Sequence, residues 1–397
     1  MIKDPLLVLA FLLIAVAFTR WLEESYEWVK TISSAVLCTL LGIVLANTDL
    51  LLGPGRSVIE HTGPMQEAIF TFAIPYAIVL IIMGTNMREL ANAGRPMLIA
   101  YGAACFGSLV AGVVAGVAMA SWVGPETSKL AGAFSAAFAG GGINFAAVGG
   151  PGGLDIDEST FVAAQLADNL STVPYFLAQV GMVGILSATF IKRSGLPPKD
   201  LVTSETGEPI DEESMRRRWT DTELNITDLA ILGALPLLAL WCARTLGQFE
   251  PISIIPEVLW LTTIALIVAQ IPVMRKLRGT EVISYFALHI FFIVLGAAAE
   301  LSEVASAGLP IFSFMILILA IHVVVAYGIG WLAKVDLGSV TIASQAAIGG
   351  PGSALAIGMA MKWHKLVAPG VIVGIFGYAL GNYLGFSTAW IVQSILG

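Results

Sequence analysis

The sequence predicts an all-α integral membrane protein made of two matching halves, and three observations carry that prediction. Of its 397 residues 57% are hydrophobic and 12% charged, with a mean hydropathy of +0.86, outside the usual range for soluble domains. Twelve apolar runs, each about the length of a membrane span, fall six on either side of one long polar stretch. Two glycine-rich interruptions, Gly140-Gly141-Gly142-Ile143-Asn144 and Gly349-Gly350-Pro351-Gly352-Ser353, stand 209 residues apart inside apolar runs. In hydrocarbon every backbone N–H and C=O needs a partner, so a helix breaks at membrane depth only where protein or a watery cavity satisfies the freed groups. Paired breaks in matching halves point to the substrate site of a secondary transporter.

The runs lie near residues 5–21, 31–50, 68–86, 97–122, 129–153 and 159–191 in the first half, and near 227–246, 256–274, 282–299, 309–333, 337–361 and 366–396 in the second. The first lacks a basic leader and a small-residue cleavage site, which marks it as a membrane segment and not a removed signal. Three units follow: a first membrane half 1–191, a cytoplasmic linker 192–225 and a second half 226–397. The linker contains Pro197-Pro198, mixed acids and Arg216-Arg217-Arg218. Basic residues beside a span set topology, so no nucleic acid is expected as a partner. Cys38, Cys105 and Cys242 each sit in an apolar run without C-x-x-C spacing, the pattern of small buried hydrophobes.

A second internal match supports the repeat. Ala91-Asn92-Ala93-Gly94-Arg95-Pro96 precedes the fourth run, and Ala305-Ser306-Ala307-Gly308-Leu309-Pro310 precedes the tenth. Charge then separates two ways of building the breaks. If all twelve segments cross, 13 of the 20 Lys and Arg lie on the cytoplasmic side; if both broken segments are re-entrant hairpins, the split is 16 to 4. The second obeys the positive-inside rule better. It leaves Lys3, Arg56, Lys129 and Arg244 outside with the acidic loop Asp155, Asp157 and Glu158. Five crossings then separate the hairpins, so they enter from opposite faces, as inverted repeats require.

The breaks also define the chemistry. A half-helix N-terminus carries partial positive charge that favours a carboxylate or phosphate, while freed carbonyls suit Na⁺. The donor ends are Gly141 to Asn144 and Gly350 to Ser353; Gly141, Gly142, Asn144, Gly350, Gly352 and Ser353 are therefore substrate-binding candidates, joined by Asn382. Asn144 and Ser353 are also favoured helix caps, and capping stands as the alternative role for both. Asp168 lies ten residues into a run, Ser159 to Ile191, that has no other charge. An acid at that depth faces the bundle interior and marks a proton or ion site by default. Asp168, Asn169 and Thr172 are the ion-coupling candidates, with Gln165, Tyr378, Ser344 and Gln345 as weaker ones. His289 and His322 are isolated in apolar runs, so no metal site is expected. No nucleophile-and-base set and no phosphate-binding loop occurs, so neither an enzyme nor ATP-driven transport is expected.

The stretch Ala139-Gly140-Gly141-Gly142-Ile143-Asn144-Phe145-Ala146-Ala147-Val148, followed by Ala167-Asp168-Asn169 and then Gly349-Gly350-Pro351, resembles the YjcL-like family of uncharacterised bacterial membrane proteins over nearly the whole chain. The resemblance implies kinship with cation/proton antiporters, bile-acid-type sodium symporters and sodium/glutamate symporters, whose inverted repeats each carry a broken helix or hairpin beside a scaffold. Some of those relatives have broken helices that cross the bilayer, which keeps the twelve-span alternative open.

The reading is an elevator-type secondary transporter in a bacterial inner membrane, with about ten transmembrane helices, two re-entrant hairpins and a cytoplasmic linker. It carries a small organic anion or zwitterion (a dicarboxylate, an amino acid or a short acidic peptide) coupled to Na⁺ or H⁺, with no other cofactor. The alternatives are a monovalent cation/proton antiporter using Asp168 and a non-transport receptor or channel. The lipid bilayer and the solute are the expected partners, and analogy adds a homodimer.

Overall fold

A computed structural model describes residues 4–26, 34–49, 57–61, 63–83, 87–194, 224–250, 252–298 and 301–397. Most of the expected linker, residues 195–223 with Arg216-Arg217-Arg218, lies outside them. The expected segments appear as helices: α1 Pro5–Ser25, α2 Ser34–Ala46, α3 Pro64–Met83, α4 Arg95–Val123, α5 Thr127–Gly140, α6 Gly142–Gly149, α7 Glu158–Ser194, α8 Ile226–Leu246, α9 Glu257–Ala269, α10 Thr280–Ala298, α11 Leu301–Leu332, α12 Leu337–Ala360 and α13 His364–Leu396. Nine of the described helices are long and apolar enough to cross a membrane. Local chemistry sets their starts. Asp4 accepts from the Leu6 and Leu7 N–H groups at 3.0 and 3.1 Å ahead of Pro5, Asn225 from Asp228 at 2.7 Å, and Asp336 from Ser339 at 2.8 Å. In the loop before α7, hydrogen bonds from Ser159 and Thr160 hold the Asp157 carboxyl below the usual carboxylate range.

The matched hexapeptides differ. Gly94 takes φ 78° and separates a short turn from α4, whereas Gly308 and Pro310 lie inside α11. Leu309 stands where the first copy has Arg95, so the apolar run continues.

Both interruptions reverse the chain. A Cβ added at Gly149 would lie 3.3 Å from that of Ala133, and one at Gly358 would lie 3.4 Å from Ile342 Cδ1. In a straight helix either pair would be about 24 Å apart. Phe134 and Phe145 likewise meet edge to face with ring centroids 5.0 Å apart. Hairpin 1 is thus α5 and α6 turning at Gly141 (φ 92°, ψ 169°), and hairpin 2 is the two arms of α12 turning at Gly350 (φ 73°, ψ −170°). Positive φ with extended ψ is glycine territory, which explains the residue type at both turns.

The helices pack as two groups. Helices α1, α2, α3, α8, α9 and α10 pack on one another, and α4 to α7 with α11 to α13 form the second group. Close backbone approach marks the main crossings: at Gly42 a Cβ would lie 2.8 Å from the Ala297 N, and at Gly107 one would lie 3.1 Å from the His322 carbonyl. The most apolar stretch of α12 is 78% buried against 28% in α1 and in α8, and α5 is buried throughout from Leu130 to Gly140, so both hairpins are interior.

Helix α13, 33 residues and about 50 Å long, is the track on which both hairpins lie. A Cβ at Gly374 would sit 2.8 Å from Pro351 Cα, one at Gly377 2.8 Å from the Ala139 carbonyl, and one at Gly385 2.8 Å from the Gly132 carbonyl. Moving along α13, the chain therefore passes the second arm of hairpin 2, then both tips, then the first arm of hairpin 1. The hairpins approach from opposite ends. At the hairpin 1 end lie Lys129, which bonds Glu126 and the Asp155 carbonyl, and the Arg244–Glu257 pair beside Gly152. At the other end lie Lys334, Lys362, Lys365 and Arg193, whose guanidinium stacks 5.0 Å from the Trp331 ring. Single cysteines at Asp157 and Lys365 should therefore react with an impermeant thiol reagent from opposite sides of the membrane. Labelling of both from one side would refute this arrangement.

Candidate functional site

The two tips touch through backbone. A Cβ at Gly141 would lie 3.5 Å from the Gly350 N, and the Gly141 N–H, which bonds the Ala137 carbonyl at 2.6 Å, also reaches the Ala347 carbonyl of hairpin 2 at 3.1 Å. Pro351 explains why that carbonyl is available: proline has no N–H to give the residue four positions earlier. Two residues singled out for their glycine-like breaks thus make one junction.

On the α7 side of the junction, Asp168 is buried and its carboxylate lies against Gly142: a Cβ there would be 2.6 Å from Asp168 Oδ2 and 3.3 Å from Asn169 Oδ1. The Gln165 amide donates to Asp168 Oδ2 at 3.3 Å and to the Gly142 carbonyl at 3.4 Å, and its own oxygen has no partner. Gln165, Asp168, Asn169 and Thr172 occupy one face of α7. Thr172 meets Gly349 of hairpin 2 through its methyl group. The carboxylate stands at the start of α6, where the helix dipole favours negative charge. Asp168 Oδ2 and Asn169 Oδ1 gather there beside the Gln165 NH₂ group, and no cationic side chain among the described residues is shown bonding them; two oxygens of that kind suit a small hard cation or a proton.

On the α13 side stands a separate polar group. Asn144 does not cap α6; its amide donates at 2.8 Å to both the Tyr378 carbonyl and Asn382 Oδ1, and the Asn382 amide donates to Thr262 of α9 at 2.9 Å. Asn382 is thus brought to Asn144 and not to Asp168. A crevice runs between α3 and this group, with Ile78, Ile81 and Ile82 on one wall and Ile143, Asn144 and Asn382 on the other. It is too narrow for a water molecule. In hairpin 2 Gly352 is exposed and a Cβ there would meet nothing, while Ser353 turns back on Gly349; neither joins the two polar groups.

The expectation that freed carbonyls await a cation needs correcting for hairpin 1. Three of the four last-turn carbonyls of α5 are taken: Ala137 by the Gly141 N–H, Phe138 by the Ser108 hydroxyl and Ala139 by the Tyr101 hydroxyl at 2.6 Å. Side chains of α4 fill the role that was assigned to a bound ion. Sequence reasoning also passed over His322, which bonds Ser108 and Ser344. A signal existed, because an imidazole within an apolar run demands a partner. Gly374→Ala drives a methyl into the Pro351 backbone and should lower stability by about 1–3 kcal/mol, whereas Gly352→Ala should change it by under about 0.5 kcal/mol. Thermal melts of the purified variants decide; equal shifts would mean the tip does not rest on α13.

Comparison with known proteins agrees with the membrane reading. Residues 10–395 match the family model described as a protein of unknown function, DUF819. The uncharacterized membrane protein YjcL of Bacillus subtilis (strain 168) is 25% identical over 393 residues, covering 96% of this chain and 95% of that protein. With nine described helices of spanning length, an all-helical fold and a match across nearly its whole length, the chain is a multi-pass membrane protein and belongs to the DUF819 family.

Proposed function

We propose that this protein is a secondary active transporter for a small organic anion or zwitterion, coupled to Na⁺ or H⁺, working by alternating access around the Gly141–Gly350 junction. The observation that carries the reading is the junction itself: two half-helix turns meet inside the membrane domain with a buried carboxylate pressed against one of them. Irregular backbone at that depth is kept where protein or a watery cavity satisfies it, and paired breaks in two halves are the pattern of secondary-transporter solute sites. The N–H groups at the start of α6 favour an anion. Asp168 and Asn169, with Gln165 beside them, hold the coupling ion; Gly141, Gly142, Asn144 and Asn382 face the solute, and Gly350 meets it from hairpin 2.

Matching helix contacts in the two halves support an inverted repeat and, with it, alternating access. The contact of α2 with α10 has its counterpart in α9 with α3, and that of α1 with α10 in α8 with α3. Helix α7 follows the second arm of hairpin 1 and then the first arm of hairpin 2, while α13 does the reverse. The halves nevertheless sit in unequal surroundings, since α6 packs on α3 whereas α12 packs within its own group. Exchanging those surroundings would expose the junction to the opposite side. In this reading the first group is the scaffold, the second slides against it as an elevator, the hairpins are re-entrant, the linker faces the cytoplasm, and the protein resides in a bacterial inner membrane as a homodimer. It carries out no covalent chemistry.

A lone carboxylate without a cationic neighbour also suits a cation/proton antiporter, the second reading. Purified protein in proteoliposomes separates the two. Under an imposed Na⁺ or pH gradient, uptake of labelled dicarboxylates, amino acids or acidic dipeptides is expected. Cation exchange with no solute uptake would leave the antiporter. Asp168→Asn should abolish dependence on the driving ion in either case, a loss of at least about tenfold; unchanged coupling would remove Asp168 from the mechanism.

A further inference from the structure

His322 lies in α11 with no exposed surface and belongs to neither polar group at the junction. Its Nδ1 is 2.9 Å from Ser108 Oγ of α4 and its Nε2 is 2.8 Å from Ser344 Oγ in the first arm of hairpin 2. Ser344 is also 2.6 Å from the Tyr175 hydroxyl of α7, and Tyr175 accepts from the Gln179 amide at 3.0 Å. The Thr341 carbonyl, 3.2 Å from the Gln179 nitrogen, can only accept, which fixes the orientation of that amide. At the other end the Ser108 hydroxyl bonds the Phe138 carbonyl of hairpin 1.

Each hydroxyl has a single hydrogen, so donors can be counted. The Gln179 nitrogen shares two hydrogens among the Thr341 carbonyl and the Tyr175 and Tyr327 hydroxyls and can only donate, so the Tyr175 hydrogen can go only to Ser344, and that of Ser344 only to His322 Nε2. Ser108 spends its hydrogen on a carbonyl, so it must accept from His322 Nδ1–H. The chain runs one way, from Tyr175 through Ser344, His322 and Ser108 to the Phe138 carbonyl, and assigns the imidazole proton to Nδ1. It begins on α7, passes through hairpin 2 at Ser344 and ends at the carbonyl end of the half-helix that turns at Gly141.

We infer that His322 is a positioning residue that sets the spacing of the two hairpins, holding hairpin 1 through Nδ1–H and Ser108, and hairpin 2 through Nε2 and Ser344. This tie concerns the protein alone and holds whichever solute or ion the junction takes. A merely space-filling imidazole would tie neither hairpin selectively, and that difference can be read out.

The experiment is hydrogen exchange of the purified protein in lipid nanodiscs, followed in peptides 134–144 and 341–353. An asparagine amide reproduces the Nδ1 donor and a glutamine amide reaches the Nε2 position. His322→Asn should therefore speed exchange in 341–353 by about tenfold and leave 134–144 unchanged, and His322→Gln should do the reverse. Equal effects of the two variants on both segments, or no effect on either, would overturn the inference. Ser344→Ala, which removes one hydroxyl and leaves the imidazole in place, guards against misfolding: it should loosen 341–353 alone, and an unchanged 341–353 would equally sink the idea.

Discussion

The backbone contact between Gly141 and Gly350 is the constraint on which the rest of the structure depends. Two chain reversals can touch only if neither carries a side chain at the point of contact and both accept positive φ. Once they touch, each hairpin has to reach only halfway along α13. The glycines at 374, 377 and 385 give that helix a face low enough for both hairpin backbones to lie on. Pro351 then converts a local defect into a link, since the carbonyl it leaves unpaired is the one that receives the Gly141 N–H.

Hydrocarbon imposes a second condition, that no freed group remain unanswered, and the two sides of each break meet it differently. The carbonyl end of α5 is closed by protein, through Ser108, Tyr101 and Gly141. At the start of α6 the Asn144 N–H bonds the Gly141 carbonyl at 2.9 Å, and the Asp168 carboxylate lies against Gly142 at the positive end of the helix dipole, with no dedicated cap. Chemistry at the junction is therefore concentrated on the α6 side, and the carbonyl side is structural.

Most of the fold was legible because the bilayer reads sequence coarsely. Twenty apolar residues make a span, and a glycine pair inside one makes a break, whatever the neighbours do. The distribution of Lys129, Arg244, Lys334 and Lys365 in the sequence separates two ends, and the hairpins lie along α13 with these residues at its two ends. The pairings at the site were not legible to the same degree. Asn144 carries the residue type of a helix cap, yet its amide reaches across to Asn382 and Tyr378, because α13 approaches within bonding distance at Gly381. Helical spacing offers Gln165 as a weaker partner of Asp168, and its i+3 bond to that carboxylate follows the spacing, while its bond to the Gly142 carbonyl does not. His322 stands isolated in the sequence and finds its partners on α4 and hairpin 2, and no spacing rule along one helix can reveal a partner on another.

The placement of Asp168 gives coupling a physical basis. An anionic solute drawn to the start of α6 would meet a carboxylate at the same helix end. Two unit charges about 5 Å apart repel by about 3 kcal/mol at an effective dielectric of about 20, enough to weaken binding by more than about a hundredfold. In the proposed transporter a bound Na⁺ or a proton on Asp168 would remove that repulsion and leave the dipolar end to the solute. Ion and anion would then favour each other's binding, each raising the affinity for the other by the same factor. A zwitterion would satisfy part of the condition itself, its ammonium group standing in for the ion. The solute's own charge would then set how tightly its transport is tied to the cation.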